Sequence, residues 1–131
     1  MITYKETKVF KKEDLEKLFL SIQWESGRYP EKLQRALANY GAVFSAWDNE
    51  RLVGLMAAMD DGVMTAYAHY LLVDPEYQGR YIGKELVIRL KKHYEDYLKI
   101  AMCAVNEKIP FYQSLGFEID ETETSMCLSK F

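Results

Sequence analysis

The sequence predicts an α/β fold around a mostly antiparallel sheet. Three observations carry that expectation. Apolar runs of strand length recur along the chain: AVFSAW, RLVGLMAAM, MTAYAHYLLV and KIAMCAV. Stretches with apolar residues one helical turn apart lie around them, at Leu15, Leu18, Phe19 and Ile22 and again at Leu86, Leu90, Tyr94 and Tyr97. Turn-forming clusters, DNE and DDG, separate the central runs.

The elements follow in chain order. ITYKE alternates and predicts a first strand. KKEDLEKLFLSIQW predicts an amphipathic helix, broken by Gly27 and Pro30 in ESGRYP. PEKLQRALANYG opens with Pro30 at a first helical position and closes with Gly41, the usual asymmetry of a helix. AVFSAW and RLVGLMAAM form a hairpin across DNE, and DDG at Asp60, Asp61 and Gly62 turns the chain into a third strand, MTAYAHYLLV. A helix follows Gly83, then KIAMCAV as a buried strand. PFYQSLGF predicts a short helix begun by Pro110 and capped by Gly116, and FEID with TSMCLSKF a closing hairpin. The expectation is six to seven strands and about four helices in one domain, residues 1–131.

Bulk composition narrows the function. The chain is 49% hydrophobic and 14% aromatic, enough for a core. At this size about two-thirds of the unfolded surface is buried on folding. A net charge of −3 and a pI near 5.4 give no general nucleic-acid footprint. No run approaches ~18 apolar residues, so no membrane span is expected. The opening MITYKETKVFKKEDL is charged and lacks the apolar centre of a signal peptide. Cys103 and Cys127 are far apart and read as reduced core thiols of an intracellular, cytoplasmic protein. They and the histidines, His69 and His93, show no zinc-ligand spacing, so no metal is expected.

The stretch PEYQGRYIGKEL, Pro75 to Leu86, carries the chemistry. It is a glycine-punctuated turn between an apolar strand, HYLLV, and a helix. Such a turn aims backbone N–H groups outward beside the positive end of the helix dipole, which suits an anion. A nucleotide P-loop is excluded by spacing: three residues separate Gly79 from Gly83, and Glu85 follows Lys84. The dinucleotide pattern G-x-G-x-x-G is absent too.

The arrangement fits Q-x-x-G-x-G, with Gln78 first and Gly83 last. In this LLVDPEYQGRYIGKELV resembles the pyrophosphate loop of the GNAT superfamily of acetyl-CoA-dependent N-acetyltransferases. PFYQSLGFE, further on, resembles that family's second signature, a short helix carrying a tyrosine before a Leu-Gly-Phe turn. The element order is similar as well, and the likeness covers almost the whole chain. One position departs: the family usually has glycine where Tyr81 stands. The longer pattern WESGRYPEKLQRAL, LVGLMAAMDDG, LLVDPEYQGRYIG and FYQSLGFE is most similar to the plastid and bacterial serotonin N-acetyltransferase-like group.

The resemblance implies a GNAT fold and acetyl-CoA as cosubstrate. It places the cofactor on the strand end Leu71, Leu72 and Val73, with a backbone N–H near Val73 on the thioester oxygen. It places the pyrophosphate on Gln78, Gly79, Arg80, Tyr81, Ile82, Gly83 and Lys84, with Arg80 and Lys84 as charge partners. Asn106 is a further cofactor contact, or equally a turn asparagine. Tyr112 stands where the family has its tyrosine acid; with a pKa of about 10, above that of a thiol, it stays protonated until the thiolate leaves. His69 lies four residues before Val73 and, by period-two alternation, shares a face with Tyr67, Leu71 and Val73. An imidazole there suits a general base; packing beside the sheet is the other reading.

Trp24, Ser26 and Tyr29 sit where the family builds its acceptor pocket, with Tyr67 nearby; the aromatics would hold an arylalkyl group or an ammonium. The expected function is therefore transfer of acetyl to a small arylalkylamine or polyamine by direct attack in a ternary complex. A protein lysine or N-terminus is the second acceptor. A non-catalytic acyl-CoA sensor is the competing class. The expected partners are the amine and, through the apolar edge of SMCLSKF, a homodimer mate.

Overall fold

A computed structural model describes residues 1–131. Strand β1 (Ile2–Glu6) leads into helix α1 (Lys12–Ser21), a single 3-10 turn (Glu25–Arg28) and helix α2 (Pro30–Ala38). Strands β2 (Ala42–Asp48), β3 (Arg51–Asp60) and β4 (Thr65–Val73) form a meander. Helix α3 (Ile82–His93), strand β5 (Lys99–Met102) and helix α4 (Ile109–Gln113) complete the elements. The sheet runs β1-β2-β3-β4-β5, antiparallel except for the parallel pair β4 and β5.

The α/β class and the mostly antiparallel sheet match the expectation; the strand count is five rather than six to seven. FEID and TSMCLSKF form no hairpin, and residues 118–131 make no backbone–backbone hydrogen bond. Alternation marks a segment able to be a strand, but a strand also needs an edge to pair with. Gly41 is likewise not the cap of α2, which ends three residues earlier. Its role is close approach. A Cβ there would fall 1.8 Å from Asp60 Oδ2, the oxygen that accepts the buried Tyr94 hydroxyl at 2.7 Å.

Two apolar layers sandwich the sheet. On one face Ile82, Leu86 and Leu90 of α3 pack on Phe44, Met56, Ala66 and Ala68. On the other, Leu15, Leu18 and Phe19 of α1 with Leu33 and Leu37 of α2 pack on Val43, Leu55, Ala57 and Leu72. These helical sets recur at i, i+3 and i+4, the stripe that buries one side of a helix.

Strand β4 changes faces midway. Ala66 and Ala68 point to the α3 layer; so do Leu71 and Val73, whereas Tyr70 and Leu72 join the α1/α2 layer. The cause is a β-bulge. Ala57 pairs with Tyr70 and Ala58 with Ala68, which leaves His69 as the extra residue. The expectation that His69 shares a face with Leu71 and Val73 is thus corrected: one inserted residue inverts the parity of everything after it.

The contact at Gly41 gives a test. Gly41→Ala should push the Asp60 carboxylate off Tyr94, cost about 1–3 kcal/mol and lower the urea midpoint. An unchanged midpoint would mean that Gly41 has no such role.

Candidate functional site

The loop after β4 is built to present N–H groups. Asp74, buried, accepts the Glu76 N–H at 2.9 Å and shapes the turn Pro75–Tyr77. Arg51 at the start of β3 holds the turn from the side, at 3.0 Å from Asp74 Oδ2 and 2.5 Å from Glu76 Oε2. The Tyr77 hydroxyl donates to Asp48 Oδ2 at 2.5 Å, and its ring carries the Arg51 and Arg80 guanidiniums, 5.1 and 4.9 Å from its centroid. Gln78 Nε2 donates to the Val73 carbonyl at 3.0 Å, tying the loop to the end of β4.

Beyond that tie, Gly79 takes φ +82° and Tyr81 φ +63° before α3 begins. The six successive N–H groups from Gly79 to Lys84 donate to no acceptor in the protein. Six free donors at the positive end of a three-turn helix make a strong site for a phosphate-type anion. Nothing lies within 4 Å of a Cβ built on Gly79, so the loop is open on that side. Tyr81 holds its left-handed backbone and is 79% exposed.

Strands β4 and β5 then separate. β5 pairs only with Thr65–Ala68, so His69–Val73 have no neighbour on that side. The Asp74 N–H donates to Val53 O at 2.8 Å across the Val73–Gly54 pair. Val73 is therefore in a non-hydrogen-bonded pair, and by alternation so is Leu71: both aim N–H and C=O away from β3 into the gap. The Leu72 backbone faces β3, and its buried side chain anchors the strand in the α1/α2 layer. The gap thus holds the free N–H groups of Leu71 and Val73 and opens onto the loop.

On the α1/α2 side of the gap the bulge gathers polar aromatics. His69 and Tyr70 stack at 4.2 Å between centroids, although they are neighbours in a strand. The Tyr40 hydroxyl is hydrogen-bonded to His69 Nδ1. Tyr70 OH meets Ser26 Oγ at 3.1 Å, and Trp24 and Phe19 pack on the Tyr70 ring. Loss of water among these rings pushes the His69 pKa below its ordinary value, even though part of the imidazole remains exposed, and pushes the Tyr40 phenol up. A hydrogen bond to the Cys103 thiol, then desolvation, raises Tyr67 to about 12.

On the α3 side, α4 packs Phe111 and Tyr112 onto the core. Phe111 Cζ lies 3.6 Å from a Cβ built on Gly83, so α4 abuts the start of α3. Desolvation raises the half-buried Tyr112 phenol to about 12.

The site residues read from the sequence therefore fall into three groups. The loop residues and strand end lie together at the gap. His69, Tyr67 and Trp24 join one aromatic cluster on one face, and Tyr112 packs on the core of the other. Tyr29, exposed at the start of α2, stacks on Phe131 at 6.2 Å, and Asn106 is exposed at the turn leading to α4. Tyr40 and Arg51 were not singled out; an aromatic between a helix end and a strand, in ANYG, is the signal for the first. Asp61 turns out to be a turn residue, its Oδ1 accepting the N–H groups of Val63, Met64 and Thr65. Both cysteines are exposed rather than core, because Cys103 lies just past β5 and Cys127 in the unpaired terminal segment.

Fold and site together define a class: an α/β domain with an anion-binding loop at the mouth of a splayed sheet. The acetyltransferase (GNAT) domain model matches residues 39–119, and the chain belongs to that family. It is 40% identical over 73 residues, 54% of the chain, to the chloroplastic GCN5-related N-acetyltransferase 2 of Arabidopsis thaliana. It is 36% identical over 75 residues, 56% of the chain, to the histone acetyltransferase TAP1 of Glycine max. The matches span 28% and 32% of those longer proteins. Among solved structures, the GNAT family protein SP0256 of Streptococcus pneumoniae superposes with a TM-score of 0.85 at 26% identity, covering 100% of both chains.

The left-handed tyrosine yields a prediction. An L side chain in that conformation costs about 1–2 kcal/mol, and glycine does not bear it. Tyr81→Gly should raise the melting temperature by a few degrees. A fall would show that the ring contributes contacts outweighing the backbone cost.

Proposed function

We propose that residues 1–131 act as a single N-acetyltransferase domain that passes acetyl from acetyl-CoA to a primary amine by direct attack, both substrates being bound together. The observation that carries this reading is the junction of two donor sets: the free N–H groups of Leu71 and Val73 in the gap, and the six of Gly79–Lys84 at its mouth. An extended thioester with a pyrophosphate in its middle needs that pair. Acetyl-CoA supplies the activated acyl group and the anion.

The chain's residues then take these roles. Gly79–Lys84 hold the pyrophosphate, and Arg80 and Lys84 add charge. The Val73 N–H polarises the thioester carbonyl, and Leu71 pairs with the amide arm. His69, kept neutral near pH 7 by desolvation, takes the proton of the incoming ammonium at Nε2 while Nδ1–H donates to Tyr40. Tyr112, protonated at all working pH values, donates to the departing sulfur. Asn106, exposed in the turn before α4, would be a further cofactor contact.

Trp24, Tyr67 and Tyr70 favour an arylalkylamine or polyamine, in keeping with the serotonin N-acetyltransferase-like pattern. Tyr29, exposed at the start of α2, would extend that pocket. A protein lysine is the second reading, favoured by the exposed rim and by the name of the soybean relative. Free, exposed Cys103 and Cys127 suit a reducing compartment such as the cytoplasm; the Arabidopsis relative is named chloroplastic.

Thermal unfolding with acetyl-CoA, against ADP, tests the binding step. At ~100 times the dissociation constant the ligand adds about 2.7 kcal/mol, a shift of several degrees; no shift would remove the proposal's foundation. For chemistry, Tyr112→Phe should lower kcat at least ~10-fold with acetyl-CoA affinity nearly unchanged. A sensor domain would show binding, no turnover on any amine and no effect of this variant.

The base is tested by pH. Because the His69 pKa lies below the ordinary ~6.5, the native rate should hold down to that range and fall only beneath it. His69→Ala should lose most rate near neutral pH and least at high pH, where the amine is already free. An equal loss at every pH would remove His69 as the base.

A further inference from the structure

A working imidazole needs a partner on its second nitrogen, often a carboxylate, to fix its tautomer. His69 has no carboxylate there. Its one side-chain hydrogen bond joins Nδ1 to the Tyr40 hydroxyl, and desolvation alone shifts its pKa. Tyr40 is itself held in place. It follows α2 and is buried, and the next residue, Gly41, donates its N–H to Ala58 O at 2.9 Å. Ala58 is the residue of β3 that pairs with Ala68, beside the bulge. The phenol is thus pinned to the sheet at the level where His69 is extruded.

The polar contacts do not stop at Tyr40. Its ring lies parallel to that of Tyr70, the planes 6° apart and the centroids at 6.2 Å. Loss of water, then the charge and hydrogen bonding of Tyr70, hold the Tyr40 phenol above its ordinary pKa. A hydrogen bond raises the pKa of a phenol when the phenol is the donor, so the Tyr40 proton belongs on the Tyr70 side. The Tyr70 hydroxyl in turn meets Ser26 Oγ at 3.1 Å, in the 3-10 turn between α1 and α2. His69 Nδ1, Tyr40, Tyr70 and Ser26 therefore stand in a row.

Each hydroxyl has one proton to give, and a neutral imidazole has one N–H. Every link in the row is satisfied only when all the protons point the same way. In the outward direction Nδ1–H donates to Tyr40, Tyr40 to Tyr70, Tyr70 to Ser26, and the half-buried Ser26 to water. Nε2 is then a bare lone pair. In the inward direction Tyr40 donates to Nδ1, and the imidazole proton sits on Nε2. The two directions are the two tautomers of His69, and only the outward one can accept the proton of an ammonium at Nε2. The Tyr70–Ser26 link favours it as well, because a phenol with a pKa of about 10 is a better proton donor than an alcohol that does not titrate.

We propose that Tyr70 is a positioning residue: by accepting the Tyr40 proton, it holds His69 as the Nδ1–H tautomer. The use of that tautomer in the reaction rests on the reading of His69 as the base. Without the Tyr70 oxygen, the buried Tyr40 proton has only Nδ1 to go to. A buried donor left unpaired is costly, so the phenol turns inward and the imidazole proton moves to Nε2. The ring of a phenylalanine at this position keeps the packing against Phe19 and Trp24.

Heteronuclear NMR of the imidazole nitrogens, without substrate and at a pH where the ring is neutral, tells the two tautomers apart. The chain has two histidines, so His93→Gln assigns the signals. Native His69 should be mainly the Nδ1–H form. Tyr70→Phe should make it mainly Nε2–H and lower kcat at least ~10-fold. In a Tyr40→Phe background, Tyr70→Phe should change neither tautomer nor kcat further, because the link between them is gone. A native Nε2–H tautomer would overturn the proposal, as would a Tyr70→Phe variant that keeps Nδ1–H. An equal loss of kcat with and without the Tyr40 hydroxyl would also overturn it, since Tyr70 would then act on the amine and not on the imidazole. The tautomer is read without turnover. A His69→Ala loss equal at every pH would therefore remove the base and leave the row of hydroxyls standing.

Discussion

The separation of β4 from β5 is the constraint on which the rest depends. Pairing stops after Ala68 and Met102, and the bulge at His69 lies at that same level. One inserted residue does three things there. It puts His69 and Tyr70 on one side, where they stack. It returns Leu71 and Val73 to the α3 layer. It leaves their N–H groups in the gap, with no strand to satisfy them. A regular strand with Ala66 and Ala68 in the α3 layer would send Tyr70 there too and turn Leu71 and Val73 to the α1/α2 side.

A gap is useful only if its mouth is fixed, and the fixing comes from outside the loop. Arg51 belongs to the β2–β3 hairpin, yet it holds both carboxylates of the turn before α3. Asp74 is buried, so this pair is partly desolvated, and removing either partner would leave an uncompensated charge. Arg51 Nε is itself buried without a partner, a cost the clamp bears for its geometry. Tyr77, between two guanidiniums and bonded to Asp48, joins the same clamp. Six backbone donors held in advance need no reordering when an anion arrives, and preorganisation of that kind is what raises affinity.

Much of this was legible in the sequence, and the rest failed for identifiable reasons. Glycine spacing located the loop because only a few residues permit its backbone. Helical periodicity located α1 and α3 because one face of each is buried, and Pro30 marked the start of α2. Alternation misplaced the partners of His69, since a bulge leaves no mark in hydrophobic pattern. It also promised a closing hairpin, since pattern reports which face of a strand is apolar and says nothing of where its partner lies. Tyr40 escaped notice because its role arises from a contact 29 residues away in sequence.

His69 and Tyr112 belong to opposite layers of the sheet: His69 bonds Tyr40 on the α1/α2 side, and Tyr112 packs on the α3-side core. That division suits a reaction in which one proton leaves an amine and another reaches a sulfur, for the two groups would stand on opposite sides of the carbonyl carbon. Desolvation acts on them in opposite directions. It lowers the imidazole, which in the proposed reaction would be neutral to accept, and raises the phenol, which would be protonated to donate. A phenol held near 12 cannot hand its proton completely to a thiolate whose own acid titrates near 8.5. In the proposed reaction its contribution would be a hydrogen bond to sulfur as negative charge develops, with solvent completing the transfer. Strength of donation without net ionisation is what a half-buried tyrosine offers, and an exposed one would give it up to water.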